Sequence, residues 1–215
     1  MPGKEHIGTL ANEYLTPFVH KDLQRLAHMV HSTANFPRAS IEFRHVLGTS
    51  QQPGGLDLCT SLLQRHFTGD WAKVDAVVCC ETGSFIFASA LALRVHLPLV
   101  LVRKAGKLPP PVVSASKSSS YISSTSPSSK SDGERFEIER GIIRKGASVV
   151  VVDDVLSTGA TLFAVLHLLK RSGVDAENTN VMAVAEFPIH GGRRLVHQSG
   201  YREVNVQSLL VFSGS

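Results

Sequence analysis

The sequence has little cysteine. Its three thiols, Cys59, Cys79 and Cys80, cannot form a paired disulfide framework, and their spacing is not that of a zinc site. Cys79 and Cys80 lie in an apolar, strand-like run, so we expect them to be reduced thiols in a core. Such thiols are typical of the cytoplasm, which is the location we predict.

Long apolar runs are also absent. No stretch approaches the roughly 18–20 residues that cross a bilayer. The charges near the N-terminus are not followed by the apolar segment of a secretory signal. We therefore expect no membrane partner and no leader sequence.

A strong charge imbalance is missing as well. The formal net charge is +4, and the basic residues are scattered rather than gathered into a stripe on one helix. We therefore expect no nucleic-acid partner. One compact basic group, Arg103, Lys104 and Lys107, follows a predicted strand, and a small phosphorylated ligand would account for it.

Strand and helix patterns alternate along the 215 residues, which are enough for one α/β domain with a sizeable core. The predicted strands are residues 41–47, 74–80, 97–102, 135–139, 148–154, 180–187 and 204–212. The predicted helices are residues 21–32, 56–67, 85–95 and 161–170. This order predicts a mostly parallel, Rossmann-like sheet with flanking helices.

Two segments stand apart from this pattern within the single predicted domain. Residues 1–47 are expected to form N-terminal helices and a hood. Eleven of the eighteen residues in 114–131 are serine. A segment with so few apolar side chains buries too little surface to offset the entropy cost of ordering it. Residues 114–133 are therefore expected to be a mobile loop beside a short antiparallel flap.

The most informative stretch is residues 148–161. Four successive valines predict a strand buried on both faces, and Asp153 and Asp154 follow them. A loop of small residues around Gly159 then leads into a helix, whose N-terminus carries unpaired N–H groups that attract anions. Gly159 allows the backbone to approach a phosphate closely. The residues predicted to bind that phosphate are Ser157, Thr158, Gly159, Ala160 and Thr161.

The two carboxylates beside this loop would repel a bare phosphate. They fit a ligand that has a sugar next to its phosphate, because carboxylates accept hydrogen bonds from sugar hydroxyls or hold Mg²⁺ on them. The alternative is an ordinary strand-to-helix turn with a capping hydroxyl, although a cap does not need two acids.

This stretch resembles the signature of the type I phosphoribosyltransferases, which use 5-phosphoribosyl pyrophosphate (PRPP). The resemblance implies that Asp153 and Asp154 are the catalytic acids, placed on the ribose hydroxyls, and that the loop after them holds the 5′-phosphate. It also implies Mg²⁺ as the cofactor, carried mainly by PRPP, with Asp153 as a candidate protein ligand.

Three further segments resemble the adenine branch of that family. They are Asn35-Phe36-Pro37 with Phe43-Arg44, Arg103-Lys104-x-Gly106-Lys107-Leu108-Pro109, and Ala185-Glu186-Phe187 with Gly191-Gly192-Arg193-Arg194. The implied base-binding residues are Phe43, Arg44 and, as a further candidate, Phe187. The implied pyrophosphate-binding residues are Arg103, Lys104 and Lys107. The resemblance further implies a homodimer that transfers phosphoribose from PRPP to a purine, adenine first of all, and yields AMP and pyrophosphate.

The sequence departs from that family in three places. Glu81-Thr82-Gly83-Ser84-Phe85 stands where the family has Asp-Ser-Arg-Gly-Phe, so an arginine is missing, and the backbone of Gly83 and Ser84 is left to bind pyrophosphate. His45 replaces an aspartate of the hood. The serine-rich segment replaces a short Glu-Tyr-Gly lid, and its nearest substitutes are Tyr121 and Glu134.

These departures leave two alternatives open. One is a phosphoribosyltransferase for another base, which the altered hood and the altered loop at residues 81–84 favour. The other is a non-catalytic regulatory protein that binds PRPP or a nucleotide, which the missing arginine and the altered lid favour. For individual residues, core packing is the alternative for Phe43 and Arg44, and a solvated turn is the alternative for the basic group.

Overall fold

A computed structural model of the chain describes residues 17–36, 39, 42–116 and 134–213. Its helices are α1 (Pro17–His28), α2 (Gly55–His66), α3 (Ser84–Val95), α4 (Ala160–Arg171) and α5 (Gly192–Gln198). Its strands are β1 (His31–Ala34), β2 (Glu42–His45), β3 (Ala76–Cys80), β4 (Leu99–Lys104), β5 (Val112–Ser116), β6 (Arg135–Glu139), β7 (Val149–Leu156), β8 (Thr179–Glu186) and β9 (Asn205–Val211).

One sheet organises the molecule, with the strand order β5-β6-β4-β3-β7-β8-β9. Strands β4, β3, β7, β8 and β9 run parallel, and β6 and β5 extend one edge in the antiparallel sense. Strands β1 and β2 form a separate antiparallel hairpin. The prediction of a mostly parallel α/β sheet with flanking helices and a short flap is confirmed.

Both faces of the central strands are buried. Val149 and Val151 of β7 pack into a cluster with the apolar side of α4. Val150 and Val152 pack into a second cluster with α1, α2 and α3. Because successive side chains of a strand point to opposite faces, helices on both sides of the sheet require an unbroken apolar run here.

The N-terminal part differs from the prediction of one helix over residues 21–32. The amides of Met29 and Val30 bond to the carbonyls of Leu26 and Ala27 and close the last turn of α1. The chain then extends, because β1 pairs with β2. Periodicity within one segment carries no information about a partner further along the chain, so it does not predict this strand.

Two strand boundaries and one helix also differ from the prediction. Strand β7 does not end at the two acids but continues to Leu156, since it stays paired with β8 that far. Ser114 and Ser116, predicted as the start of the serine-rich loop, form the end of β5 through their pairing with β6. Residues 117–133, including Tyr121, lie outside the described residues. Helix α5 occupies the segment predicted only as a turn.

The cysteines are free and buried, in agreement with the prediction of reduced core thiols. Burial raises the pKa of Cys79 to about 12, and the charge of Asp153 adds to that effect. Among the helices that the structure describes, none is long and apolar enough to cross a membrane.

Candidate active site at the carboxyl edge of the sheet

The predicted functional segments meet at one edge of the sheet. Strand β3 lies between β4 and β7, and all of them run parallel, so the loops that follow them emerge side by side. This carboxyl edge is where open α/β sheets bind ligands. The topology therefore brings together the loop at residues 81–84, the basic segment at the end of β4 and the loop at residues 157–159.

The loop after β7, Ser157-Thr158-Gly159, has a tightly defined backbone. Gly159 has φ +77°, and a Cβ there would lie 2.7 Å from the carbonyl oxygen of Gly192. Glycine is therefore needed both for the left-handed conformation and for the close packing against α5. Helix α4 begins at Ala160, with Thr161 in its first turn, so its positive N-terminal end faces the loop.

Ser157 carries a second sign of an anion site. Its Oγ is buried and has no hydrogen-bond partner among the described residues. A buried hydroxyl usually finds a partner, and a phosphate in this loop is the kind of ligand that would supply one. The predicted phosphate loop therefore has a tightly turned backbone and a buried hydroxyl that a bound anion would supply with a partner.

The two acids lie within the last part of β7. The amide of Asp154 donates to Oδ1 of Asp153 over 3.1 Å. Burial raises the pKa of Asp154, and hydrogen bonds with Asp153 and nearby amides offset only part of that effect. Asp153 is close enough to Cys79 for its charge to raise the pKa of that thiol. A half-buried carboxylate pair at this edge can hold hydroxyl groups of a ligand by accepting their protons in hydrogen bonds.

The loop at residues 81–84 lies directly against Asp154. A Cβ on Gly83 would come within 2.2 Å of Oδ2 of Asp154, so the carboxylate occupies the space that any side chain at position 83 would need. Ser84 is buried, starts α3, and donates its hydroxyl proton to the carbonyl of Cys80. The Glu81–Thr82 peptide is cis. The N-terminus of α3 and this glycine bring backbone, not a cation, to the predicted pyrophosphate position.

The two cations that end β4 are both paired with carboxylates. Nε of Arg103 bonds Oε2 of Glu81 over 2.8 Å, and the Glu81 side chain is only 7% exposed. Nζ of Lys104 lies 2.6 Å from Oε1 of Glu134. Lys107 is exposed and makes no ion pair with any described residue. The basic segment is thus at the predicted edge, but its charge is largely compensated within the protein.

Glu137 shapes the turn that carries these cations. This β6 residue is buried, and its Oε2 accepts from the amide of Gly106 over 2.9 Å. Its Oε1 accepts from the hydroxyl of Ser114 over 3.2 Å. The turn after β4 is therefore fixed to the neighbouring antiparallel strands, a role that the alternating sequence of β6 does not indicate.

The predicted base-binding residues lie in the hairpin of β1 and β2. The Phe43 ring packs edge-on against Phe36, with 4.9 Å between the ring centroids. The Arg44 guanidinium lies over the ring of Phe212, 5.0 Å from its centroid. Phe212 in turn stacks on Phe187 at 5.5 Å. The structure thus brings Arg44 and Phe187 together through Phe212, whereas Phe43 packs within the hairpin.

This aromatic stack, formed by Arg44, Phe212 and Phe187, adjoins the phosphate loop. The amide of Phe187 donates to the carbonyl of Leu156, the last residue of β7, over 2.9 Å. A guanidinium and two rings offer flat surfaces on which a planar heterocycle can stack. Sequence reasoning missed Phe212, because an aromatic at the end of the last strand carries no signal of its own.

Sequence reasoning also missed the clamp formed by Glu186, Arg193 and Ser208. Arg193 of α5 bonds both carboxylate oxygens of Glu186, at 3.0 and 2.5 Å, and Ser208 donates to the same carboxylate over 2.6 Å. Burial alone would raise the pKa of Glu186, but these hydrogen bonds outweigh it and hold the pKa below its ordinary value. The clamp fixes α5, against which the phosphate loop packs.

Comparison with known proteins supplies a family for this geometry. Residues 49–185 match the model of the phosphoribosyl transferase domain. The chain is 30% identical over 207 residues to a protein of Sorangium cellulosum named adenine phosphoribosyltransferase, and the match covers 96% of each chain.

Solved structures agree with this match. An enzyme of this name from Giardia lamblia, complexed with 9-deazaadenine, is 25% identical with a TM-score of 0.76, and the match covers 89% of this chain and 98% of that one. The adenine phosphoribosyltransferase of Saccharomyces cerevisiae, complexed with adenine and an imino-altritol bisphosphate, is 27% identical with a TM-score of 0.73, and the match covers 89% and 99%.

Proposed function

The chain belongs to the phosphoribosyltransferase family, and from this premise we propose that it transfers the 5-phosphoribosyl group of PRPP to adenine, giving AMP and pyrophosphate. The observation that carries the proposal is the loop at residues 157–159, with its glycine in the left-handed region, its unpaired buried hydroxyl and two carboxylates just before it. That arrangement fits a ribose 5-phosphate group.

The acceptor is inferred from the relatives. The similar proteins are named adenine phosphoribosyltransferase, and two of the solved structures hold adenine or 9-deazaadenine. In this chain the aromatic stack of Arg44, Phe212 and Phe187 offers a surface for a purine. Adenine on that surface would lie near the carboxyl end of β7, where the ribose is proposed to bind.

The reaction breaks the bond from C1′ of the ribose to the pyrophosphate oxygen and forms a bond from C1′ to a ring nitrogen of the base. We propose that Asp153 and Asp154 hold the ribose hydroxyls while C1′ is transferred. The 5′-phosphate is bound by the loop after them and by the start of α4. Fixing both ends of the sugar keeps C1′ between base and leaving group, which is the positioning that accelerates such a transfer.

Mg²⁺ is part of this proposal. Among the described residues no group of three His, Cys, Asp or Glu side chains is arranged to hold a metal ion. Mg²⁺ keeps several waters and binds with few protein ligands when a substrate phosphate supplies the rest. The ion would therefore arrive on the pyrophosphate of PRPP, with Asp153 as its protein ligand, and neutralise the leaving group.

The test is an assay of pyrophosphate release from PRPP and Mg²⁺ with a panel of purine and other bases. We expect release with adenine and formation of AMP. Asp154→Asn should lower the rate on the order of 10²-fold or more. If pyrophosphate is released only with another base, that base and not adenine is the acceptor. His45 in the hairpin is the feature that favours this outcome.

A folding control accompanies that variant. Burial raises the pKa of Asp154, so the ionised carboxylate makes the folded state less stable above the group's unfolded-state pKa. Asp154→Asn should therefore unfold at a higher temperature than the wild type at neutral pH, and the gap should narrow as the pH falls. An unchanged rate in Asp154→Asn would contradict the assigned role, whereas a lost rate combined with a lower melting temperature would assign the loss to misfolding.

The second candidate function is a non-catalytic protein that binds PRPP or a nucleotide. The compensated charge of Arg103 and the glycine at position 83 favour it. PRPP binding in calorimetry without pyrophosphate release from any base would select this candidate. We also propose that the protein acts in the cytoplasm, which its reduced, buried thiols support, and that it forms a homodimer.

A further inference from the structure

The pyrophosphate end of the proposed site is unusual in its charge pairing. A diphosphate carries several negative charges and needs free cations, which bind phosphate oxygens through charge-assisted hydrogen bonds. Arg103, the arginine at the end of β4, already has such a bond to Glu81. In the proposed 5′-phosphate loop, the buried Ser157 hydroxyl has no hydrogen-bond partner in the part of the chain that the structure describes. The two ends of the site therefore differ in whether a group that could bind an anion already has a partner within the protein.

Glu81 is well placed to compete with a ligand. Its side chain is 7% exposed, whereas that of Arg103 is 34% exposed. The carboxylate is therefore the more buried partner, and the guanidinium lies between it and solvent. Its influence extends to the neighbouring cation: the hydrogen bond to Glu134 raises the pKa of Lys104, and the charge of Glu81 adds to that rise. Removing Glu81 would free positive charge without removing any cation.

We infer that Glu81 lowers the affinity for the diphosphate end of the ligand, because its carboxylate bonds Nε of Arg103 and offsets the positive charge with which the rest of that guanidinium would bind a phosphate oxygen. The inference rests on the proposed function. It states that Glu81 changes the affinity for PRPP relative to the affinity for ligands that carry only a 5′-phosphate. A 5′-monophosphate binds at the other end of the site and does not contact this ion pair. Glu81 thus acts on the ligand indirectly, by offsetting the charge of Arg103.

The experiment is calorimetric binding of PRPP, pyrophosphate and ribose 5-phosphate, each with Mg²⁺, to the wild type and to Glu81→Gln. We expect the variant to bind PRPP and pyrophosphate about tenfold more tightly, the size of one charge-assisted hydrogen bond. Binding of ribose 5-phosphate should not change. The KM for PRPP should fall in parallel.

Two controls isolate the ion pair. Glu177→Gln removes the same charge from an exposed turn before β8, at the opposite edge of the sheet, and should leave all binding constants as they are. In an Arg103→Gln background, Glu81→Gln should give no gain, since no guanidinium is left to free. This double variant keeps the inference testable even where Glu81→Gln alone changes stability.

Three outcomes would overturn the inference. Weaker pyrophosphate binding by Glu81→Gln would mean that Glu81 orients Arg103 for binding. An equal change for ribose 5-phosphate would mean a general effect of charge. Tighter pyrophosphate binding by Glu81→Gln in the Arg103→Gln background would mean that Glu81 does not act through Arg103. A wild type that binds none of the ligands would instead overturn the proposed function itself.

Discussion

Gly83 stands where the motif that the sequence resembles has an arginine, and the structure shows what surrounds this position. The missing arginine does not leave an open space, because Oδ2 of Asp154 would be 2.2 Å from a Cβ at this position. The motif reveals the substitution from sequence alone. It does not reveal that Asp154, an acid of the proposed ribose site, fills the space, because Asp154 reaches Gly83 only through the pairing of β3 with β7.

This contact predicts that Gly83→Arg lowers activity rather than restoring it. Any side chain at position 83 must displace the Asp154 carboxylate, and a displacement of about 1 Å at a reacting centre can cost on the order of 10²-fold in rate. The measurement is kcat/KM for PRPP. Gly83→Ala should also lose activity, which separates the effect of size from that of charge.

A matched control adds the same arginine at an exposed position outside α3. Gln198 is exposed at the end of α5, so Gln198→Arg should leave kcat/KM nearly unchanged. Higher activity in Gly83→Arg than in the wild type would show that the contact with Asp154 is not a constraint.

At the scale of elements, the parts with a strong local signal were predictable. The four valines of β7 and the apolar spacing of α2, α3 and α4 identify these elements within a few residues. Helix α5 was not predictable, since it has seven residues, begins at Gly192 and is preceded by a second glycine, Gly191. Its stability depends on the clamp between Arg193 and Glu186, and a pair of charges seven positions apart in sequence has no periodicity that would indicate it.

The clamp predicts a large effect for Arg193→Ala. Glu186 is buried, and breaking a buried ion pair by removing one partner typically costs about 3–5 kcal/mol in the free energy of unfolding. A loss of about 3 kcal/mol would lower the melting temperature by roughly 6–12 °C. Arg194→Ala, an exposed neighbour on the same helix, should change the free energy by no more than about 0.5 kcal/mol.

The pH dependence of this variant has a defined sign. In the wild type the pKa of Glu186 is held low, so its contribution is present above the unfolded-state pKa and is lost as pH falls through the folded-state value. Without Arg193, burial should raise that pKa, and stability should then fall as pH rises. The difference in unfolding free energy should thus be larger at neutral pH than at acidic pH, as urea titrations would reveal. A constant difference would mean that packing, not the charge, is responsible.

At the scale of the whole molecule, the sheet determines which segments form the site. Segments near residues 81, 103 and 157 are far apart in sequence, and parallel pairing brings their loops to one edge. That convergence was predictable from the alternation of strands and helices. The pairing of Arg103 with Glu81 was not, because opposite charges can be matched across strands only once the strand order and register are known.

One surface of the molecule bears on its proposed assembly. On α3, Ile86 is 40% exposed and Leu93 is 77% exposed, and they lie on one face of the helix seven positions apart. Such an apolar strip costs free energy in water and is typical of a contact surface. Because α3 starts at Ser84, a second copy bound here would lie next to the pyrophosphate end of the site.

We therefore expect Leu93→Glu to convert the proposed homodimer into a monomer. A charge introduced at the centre of an apolar contact is left without a partner on association, so the dimer should dissociate. Light scattering should give twice the 23.2 kDa chain mass for the wild type and one chain mass for the variant. Ile142→Glu alters an equally apolar side chain that is 51% exposed away from α3, and it should remain dimeric. A dimeric Leu93→Glu variant would place the contact on another surface, and a monomeric wild type would exclude the homodimer.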